Sequence, residues 1–223
     1  MTVLAVTGLA REARIARRAK LIPVISGGDG ARLEQRLEDA IAKHSPKGIV
    51  SFGIAGALAP LLKVGDVIVA THVVQDDERY PTDAQWTALL RKKLLRAIPA
   101  VLAGHDQIVS HIDGKRRLLA LSGAAAVDME SHIAARLAQR HGIPFVAIRT
   151  ISDAATRGLP PAALVPLKPS GRIRLGGVLA SVASDPGQIP DLMKTGREAG
   201  KAMRALLRSR NALGLFLGCP YLG

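Results

Sequence analysis

Short apolar runs that each stop at glycine or a polar turn, separated by stretches with apolar residues at helical spacing, restrict the fold of this 223-residue chain more than any other feature. Val3-Leu-Ala-Val-Thr7 stops at Gly8, and Leu21-Ile-Pro-Val-Ile25 stops at Ser26-Gly-Gly-Asp-Gly30; both read as buried strands followed by turns. From Ala31 to His44, Leu33, Leu37, Ala40 and Ile41 fall on one face among charged residues, which predicts an amphipathic helix. Further strands are expected at Gly48 to Phe52, Val64 to Ala70, near Gln107 to Val109, and Pro144 to Arg149. Helices are expected within Asp76 to Ala100 (carrying Trp86, Leu89, Leu90 and Leu94), over Lys115 to Leu121, from Glu130 to just before Gly142, and over Lys194 to Arg210. Nearly all-apolar strands alternating with helices predict an α/β fold: a mixed, largely parallel central sheet flanked by helices. One domain over residues 1–223 is expected, with 159–223 forming a C-terminal loop and basic helix region; the prolines of Gly158 to Gly171 suggest a loop or lid.

In such sheets ligands sit beyond the carboxyl ends of the strands. That rule gathers Gly8 to Glu12, Ser26 to Gly30, Gly53 to Gly56, and Ser152 with Asp153 on one rim. Ser26-Gly-Gly follows a strand and opens a helix, so its amides suit either a structural turn or an anion. It is neither a dinucleotide fingerprint nor a Walker A loop. His72, His105, His111 and His132 lack metal-ligand spacing, so no metal is expected. An Asp at a strand end is often a helix cap, and a Glu in a first helical turn often answers the helix dipole.

Composition narrows the classes. The formal charge of +13, from 31 Lys and Arg against 18 Asp and Glu, attracts anions. The few aromatics, Phe52, Phe145, Phe216, Tyr80, Tyr221 and Trp86, are not interleaved with basic runs, which places nucleic acid last among the partners. The single cysteine, Cys219, forms no internal disulfide and suits a reducing cytoplasm. The first apolar run is too short for a signal peptide, and no stretch approaches the ~20 apolar residues of a membrane span. A cytoplasmic protein is expected.

The combination of Ala125-Ala-Val-Asp-Met-Glu-Ser131 with Ile143-Pro-Phe-Val-Ala-Ile-Arg-Thr-Ile-Ser-Asp153 is far more specific than either part. With Val6-Thr-Gly-Leu-Ala-Arg-Glu12, Ser26-Gly-Gly, Gly53-Ile-Ala-Gly-Ala-Leu-Ala-Pro and Lys63-Val-Gly-Asp-Val-Ile-Val, it resembles the purine nucleoside phosphorylase and methylthioadenosine/adenosylhomocysteine nucleosidase superfamily. Thr7 to Ala16 and Ala126 to His132 look closest to its hopanoid-associated group.

The resemblance implies cleavage of an N-glycosidic bond in a purine nucleoside, with adenosylhopane losing adenine to phosphate. Asp153 would protonate the purine N7, with Ser152 orienting it; Glu130 would take the ribose hydroxyls, Met129 would pack on the sugar, and Asp128 and Ile108 complete the substrate set. Gly8, Glu12, Arg11, Ser26, Gly27, Gly53 and Ile54 are expected around the nucleophile, with Arg14 a further cation for phosphate.

Two positions depart from the pattern. Ile54 stands where relatives often carry Ser or Thr, and alignment on Gly8 puts Ala13 where nucleosidases hold water with a Glu, leaving Glu12 one position early. Phosphate is therefore the expected nucleophile and co-substrate, with no cofactor. A nucleosidase using water is the alternative, and a non-catalytic basic module that binds membrane or nucleic acid is a rival of another class. A homodimer is the expected assembly. Arg197, Lys201, Arg204 and Arg208 share one helix face, which reads either as a solvated face or as a peripheral contact with the inner face of a membrane carrying a lipid-linked substrate.

Overall fold

The computed structural model describes residues 2–222. Strand β1 (Val3–Thr7) is buried along its whole length and pairs in parallel with β2 (Ile22–Ile25) at the sheet edge and with β3 (Gly48–Ala57) on its other side. Helix α1 (Ala10–Arg17) links β1 to β2, and α2 (Gly30–His44) links β2 to β3. The side chain of Asp29 caps α2 by accepting from the Arg32 amide, and Ser45 closes it in the left-handed region.

Beyond β3 the sheet closes on itself. Strand β4 (Val67–Gln75) turns back through β5 (Glu78–Pro81), and helix α3 (Ala84–Lys93) leads into β6 (Ile98–Gly104), which lies parallel to β4. Helix α4 (Ile112–Ser122) precedes the short β7 (Ala126–Asp128), and α5 (Ser131–Arg140) carries the chain to β8 (Phe145–Asp153). Strand β8 runs parallel to β3 and antiparallel to β4, while β7 joins β3 to β6. The ring β3-β8-β4-β6-β7 is thus complete, with β1 and β2 as an extension.

Helices cover both sides. Leu33, Leu37 and Ile41 of α2 and Ile133 and Leu137 of α5 pack into one core with Leu4, Ile49 and Ala147. Ile15 of α1, Trp86 and Leu90 of α3, and Met203 and Leu206 near the C-terminus share a second core with Val50, Phe52 and Ile148. Two helices follow β8: α6 (Leu175–Ser184), reached through an irregular segment with one 3-10 turn at Pro161–Leu164, and α7 (Ile189–Leu213).

The mixed, largely parallel sheet agrees with the sequence reading, but several elements are corrected. The strand expected near Gln107 to Val109 is β6, which ends at Gly104, before Gln107; Pro99 within it reads as a breaker, yet it is tolerated opposite Val69. The strand expected from Val64 begins at Val67 and runs on to Gln75. Gly53 to Gly56, expected to be a turn, continues β3 as far as Ala57. Arg11 and Glu12, expected on a loop, lie on α1. The predicted basic helix is real and longer, and α6 was not foreseen.

Candidate active site

The C-terminal ends of β1, β2, β3, β7 and β8 meet around a buried arginine. Arg149, at the centre of β8, is 1% exposed and has its guanidinium surrounded by acceptors. Its Nε lies 2.9 Å from Asp128 Oδ2, and its Nη2 lies 2.6 Å from Ser51 Oγ and 3.4 Å from Glu130 Oε2. Its Nη1 donates to the Ile54 carbonyl at 3.2 Å. Burial alone would lower its pKa, but Asp128, Glu130 and Glu12 outweigh that and hold the group charged.

Helical spacing turns Glu12 inward from α1, together with Ala13, Ile15 and Ala16. Glu12 Oε2 accepts from the amides of Gly8 and Leu9, and Oε1 from that of Ile54, each at 2.8 Å. Burial raises this carboxyl to about 7 against the pull of Arg149, and the Glu130 charge adds to the rise. Ala13 is in the core, so Glu12 is the acid of the first segment that reaches the cluster.

Glu130 follows β7 at the start of α5. Its Oε1 accepts from Ser26 Oγ at 2.9 Å, and burial raises its pKa, Asp128 adding to the rise while Arg149 and Ser26 oppose it. Asp128 Oδ1 accepts from the Glu130 and Ser131 amides and its Oδ2 from Ser131 Oγ, so it builds the first turn of α5 and positions Arg149.

At the end of β8, Asp153 meets a residue the sequence reading did not single out. Lys115 of α4 is fully buried, and its Nζ lies 2.5 Å from Asp153 Oδ2, 2.8 Å from the Ala154 carbonyl and 3.0 Å from that of Arg157. All three of its protons therefore have acceptors. Ser152 Oγ lies 2.7 Å from Asp153 Oδ1 and 3.1 Å from the Ala55 carbonyl.

Glycine fits closely at two points of β3. In the β3·β8 register Gly53 stands opposite Arg149 and Gly56 opposite Asp153. A Cβ on Gly53 would lie 2.5 Å from Arg149 Nη1 and 2.6 Å from Glu12 Oε1, and one on Gly56 would lie 3.1 Å from Asp153 Oδ2.

Other expected residues fall outside the cluster. Arg11 and Arg14 are exposed on the outer face of α1, because they occupy the positions of the helix opposite Glu12 and Ala13. Ile108 is 44% exposed on the loop after β6, and Met129 is half-buried beside Glu130. Gly8 does line the cluster, since a Cβ there would meet Glu130 Oε1 at 2.7 Å. Gly27 takes a positive φ of 64°, and a Cβ on it would lie 2.7 Å from the Lys168 carbonyl oxygen, so chain covers that side of the expected cradle. Ile54 contributes its backbone alone to the polar network; its side chain packs on the second core.

Arg149 carried a sequence signal that was missed. An arginine inside an apolar strand that reads as buried demands paired carboxylates. Lys115 carried none, because Arg116 and Arg117 beside it are exposed cations of the same helix.

Known proteins share this family and this fold. Residues 19–165 match the model of the phosphorylase superfamily. A 5'-methylthioadenosine/S-adenosylhomocysteine nucleosidase of Exiguobacterium is 30% identical over 139 residues, covering 52% of this chain and 59% of its own. An aminodeoxyfutalosine nucleosidase of Helicobacter pylori is 32% identical over 124 residues, covering 46% of this chain and 54% of its own. The chain thus spans between half and two thirds of the curated relatives it matches. The solved 5'-methylthioadenosine/S-adenosylhomocysteine nucleosidase of Helicobacter pylori with bound butyl-thio-DADMe-Immucillin-A superposes with a TM-score of 0.65 at 18% identity, over 95% of this chain and 98% of that one.

Proposed function

The chain belongs to the phosphorylase superfamily, and from that premise we propose that it cleaves the N-glycosidic bond of a purine nucleoside with water as the nucleophile. The observation that carries the choice of water is Glu12, a buried carboxyl raised to about 7 and held by three backbone amides beside Glu130. Such a group takes a proton from water near neutral pH. Phosphate needs unengaged cations, whereas the one arginine of this cluster is already met by Asp128, Glu130 and Glu12. Three carboxylates around one guanidinium repel a phosphate and favour a positively charged ribose.

Each carboxylate then has a distinct task. Glu130, fixed by Ser26 and Arg149, accepts the ribose hydroxyls and steadies the developing oxocarbenium ion. Asp153 faces the departing base. Lys115 holds Asp153 in place, and the proton that the purine N7 takes up at Asp153 is replaced from solvent. Glu12 removes a proton from water as its oxygen bonds to C1′, and the C1′–N9 electrons leave with the base.

The finer reading of the substrate, adenosylhopane, rests on the resemblance of Thr7 to Ala16 and Ala126 to His132 to the hopanoid-associated group. Adenine release from adenosine, methylthioadenosine and adenosylhopane, followed with and without phosphate, tests both levels. The expected product is a free ribose, carrying its 5′ substituent where the substrate has one, at a phosphate-independent rate. A ribose 1-phosphate formed only with phosphate overturns the role of water, and failure on every adenine nucleoside restores the non-catalytic reading.

A further inference from the structure

Helix α6 has no buried residue and no charged one, which is unusual for an element lying on a folded protein. Leu175 and Leu179, one turn apart, are 70% and 69% exposed, and Ile173 just before them is 57% exposed. A stripe of large aliphatic groups in water needs a cover. At 10 residues the helix extends only ~15 Å, half of the ~30 Å hydrocarbon thickness. No helix among the described residues is long and apolar enough to cross a membrane.

The surroundings of α6 indicate what the cover is. Lys168, Arg172 and Arg174 precede the helix, all exposed, and no acid intervenes before Asp185. Arg172 also lines an open groove of about 870 Å³ along β2, together with Arg14, Arg17, Arg36 and Lys43, against the single acid Asp39. Arg14 in turn borders a notch of about 210 Å³ between α1 and α7 that holds Arg11, Arg18 and Arg204 and no acid. One continuous basic face therefore runs from the root of α6 across α1 to the exposed stripe of α7. A second copy of this chain, also +13, would bring like charge against like. Nucleic acid would use the cations and leave the leucines bare. An anionic bilayer answers both, taking the aliphatic groups between acyl chains and the cations among phosphates.

We propose that α6 is an interfacial foot that seats the protein on an anionic lipid surface with the basic face of α1 and α7 against the headgroups. The foot is tied to the site: the Ala10 amide donates to the Gly171 carbonyl at 3.0 Å, and Lys168 lies over Gly27, so the segment entering α6 borders the first two rim turns. Seating α6 therefore brings that rim to the membrane surface.

The test is sedimentation with vesicles, a readout independent of catalysis, so that failure here leaves the nucleosidase reading intact and failure there leaves this one intact. The full chain is mixed with vesicles of phosphatidylcholine alone or with one third phosphatidylglycerol, at low and high salt. Binding to the anionic vesicles, weak on the neutral ones and reduced by salt, is expected. The double variant Leu175→Asp/Leu179→Asp should bind at least about tenfold more weakly while its melting temperature, native mass and activity on a soluble nucleoside stay unchanged. Three results overturn the proposal: no sedimentation with anionic vesicles, full binding by the double variant, or a smaller native mass for that variant, which would make α6 a contact between copies.

Discussion

Among single residues, Glu12 links chemistry to stability. Its folded pKa of about 7 lies above the ordinary 4.5, so the folded state holds a proton that the unfolded chain has released between those values. The contribution is present below about 4.5 and is lost as pH rises through 7. Relative to Glu12→Gln, the wild type should therefore lose a few kcal/mol of stability between pH 5 and pH 8, read as diverging denaturant midpoints. Turnover should show the opposite sense, falling in the wild type as pH drops below 7 and falling by roughly 10²-fold or more in the variant at any pH. Lys115 gives a second prediction. Lys115→Met leaves the Asp153 carboxylate buried without its cation and should cost about 3–5 kcal/mol in a thermal or urea melt. Adding Asp153→Asn should return much of that stability without returning activity, because the carboxyl facing the base is gone. Recovery of turnover in the double variant would remove the pair from the proton path.

The elements differ in how far they could be read in advance. β1, β2 and α2 were legible because an apolar run ends at a clear stop, as at Gly8 and Ser26, or because a helical stripe is plain; β8 was legible only in its first part, since it runs past the expected end at Arg149 to Asp153. α1 was not, since eight residues beginning with Ala-Arg-Glu look like a continued loop. That mistake carried into the site: read as a loop, it offers Arg11 and Arg14 to a phosphate, whereas as a helix it turns them outward and Glu12 inward. Glu130, Ser26 and Asp153 were legible from their places at strand ends. Arg149 and Lys115 were not, because their partners come from elements far away in the chain. Within β3, Gly53 takes the tightest approach. Gly53→Ala should displace Arg149 and Glu12 together, lowering stability by about 1–3 kcal/mol and turnover more than substrate affinity; a fully active, equally stable variant would show that the cluster has slack.

Over the whole molecule, charge is sorted by depth. Glu12, Asp128, Glu130 and Asp153 are buried at the site, while most Lys and Arg side chains are in solvent, so the surface is more positive than the +13 of the sequence suggests. Mutual repulsion of that surface is screened by salt, and the melting temperature should rise by a few degrees from ~10 mM to ~150 mM salt; a flat response would mean that local pairing already cancels it. The ring of strands has a different result. Arg149 and Asp153 are both on β8, opposite Gly53 and Gly56 of β3, three β3 steps or ~10 Å apart, with one extra β8 residue taken up in the register shift between Ile151 and Asp153. Under the proposed function, the sugar end and the base end of the site are therefore graduations on a single ruler, held along β3. Loops around that ruler are free to be recut for a larger or smaller 5′ group while the distance between the two ends of the scissile nucleoside stays as the strand pitch sets it.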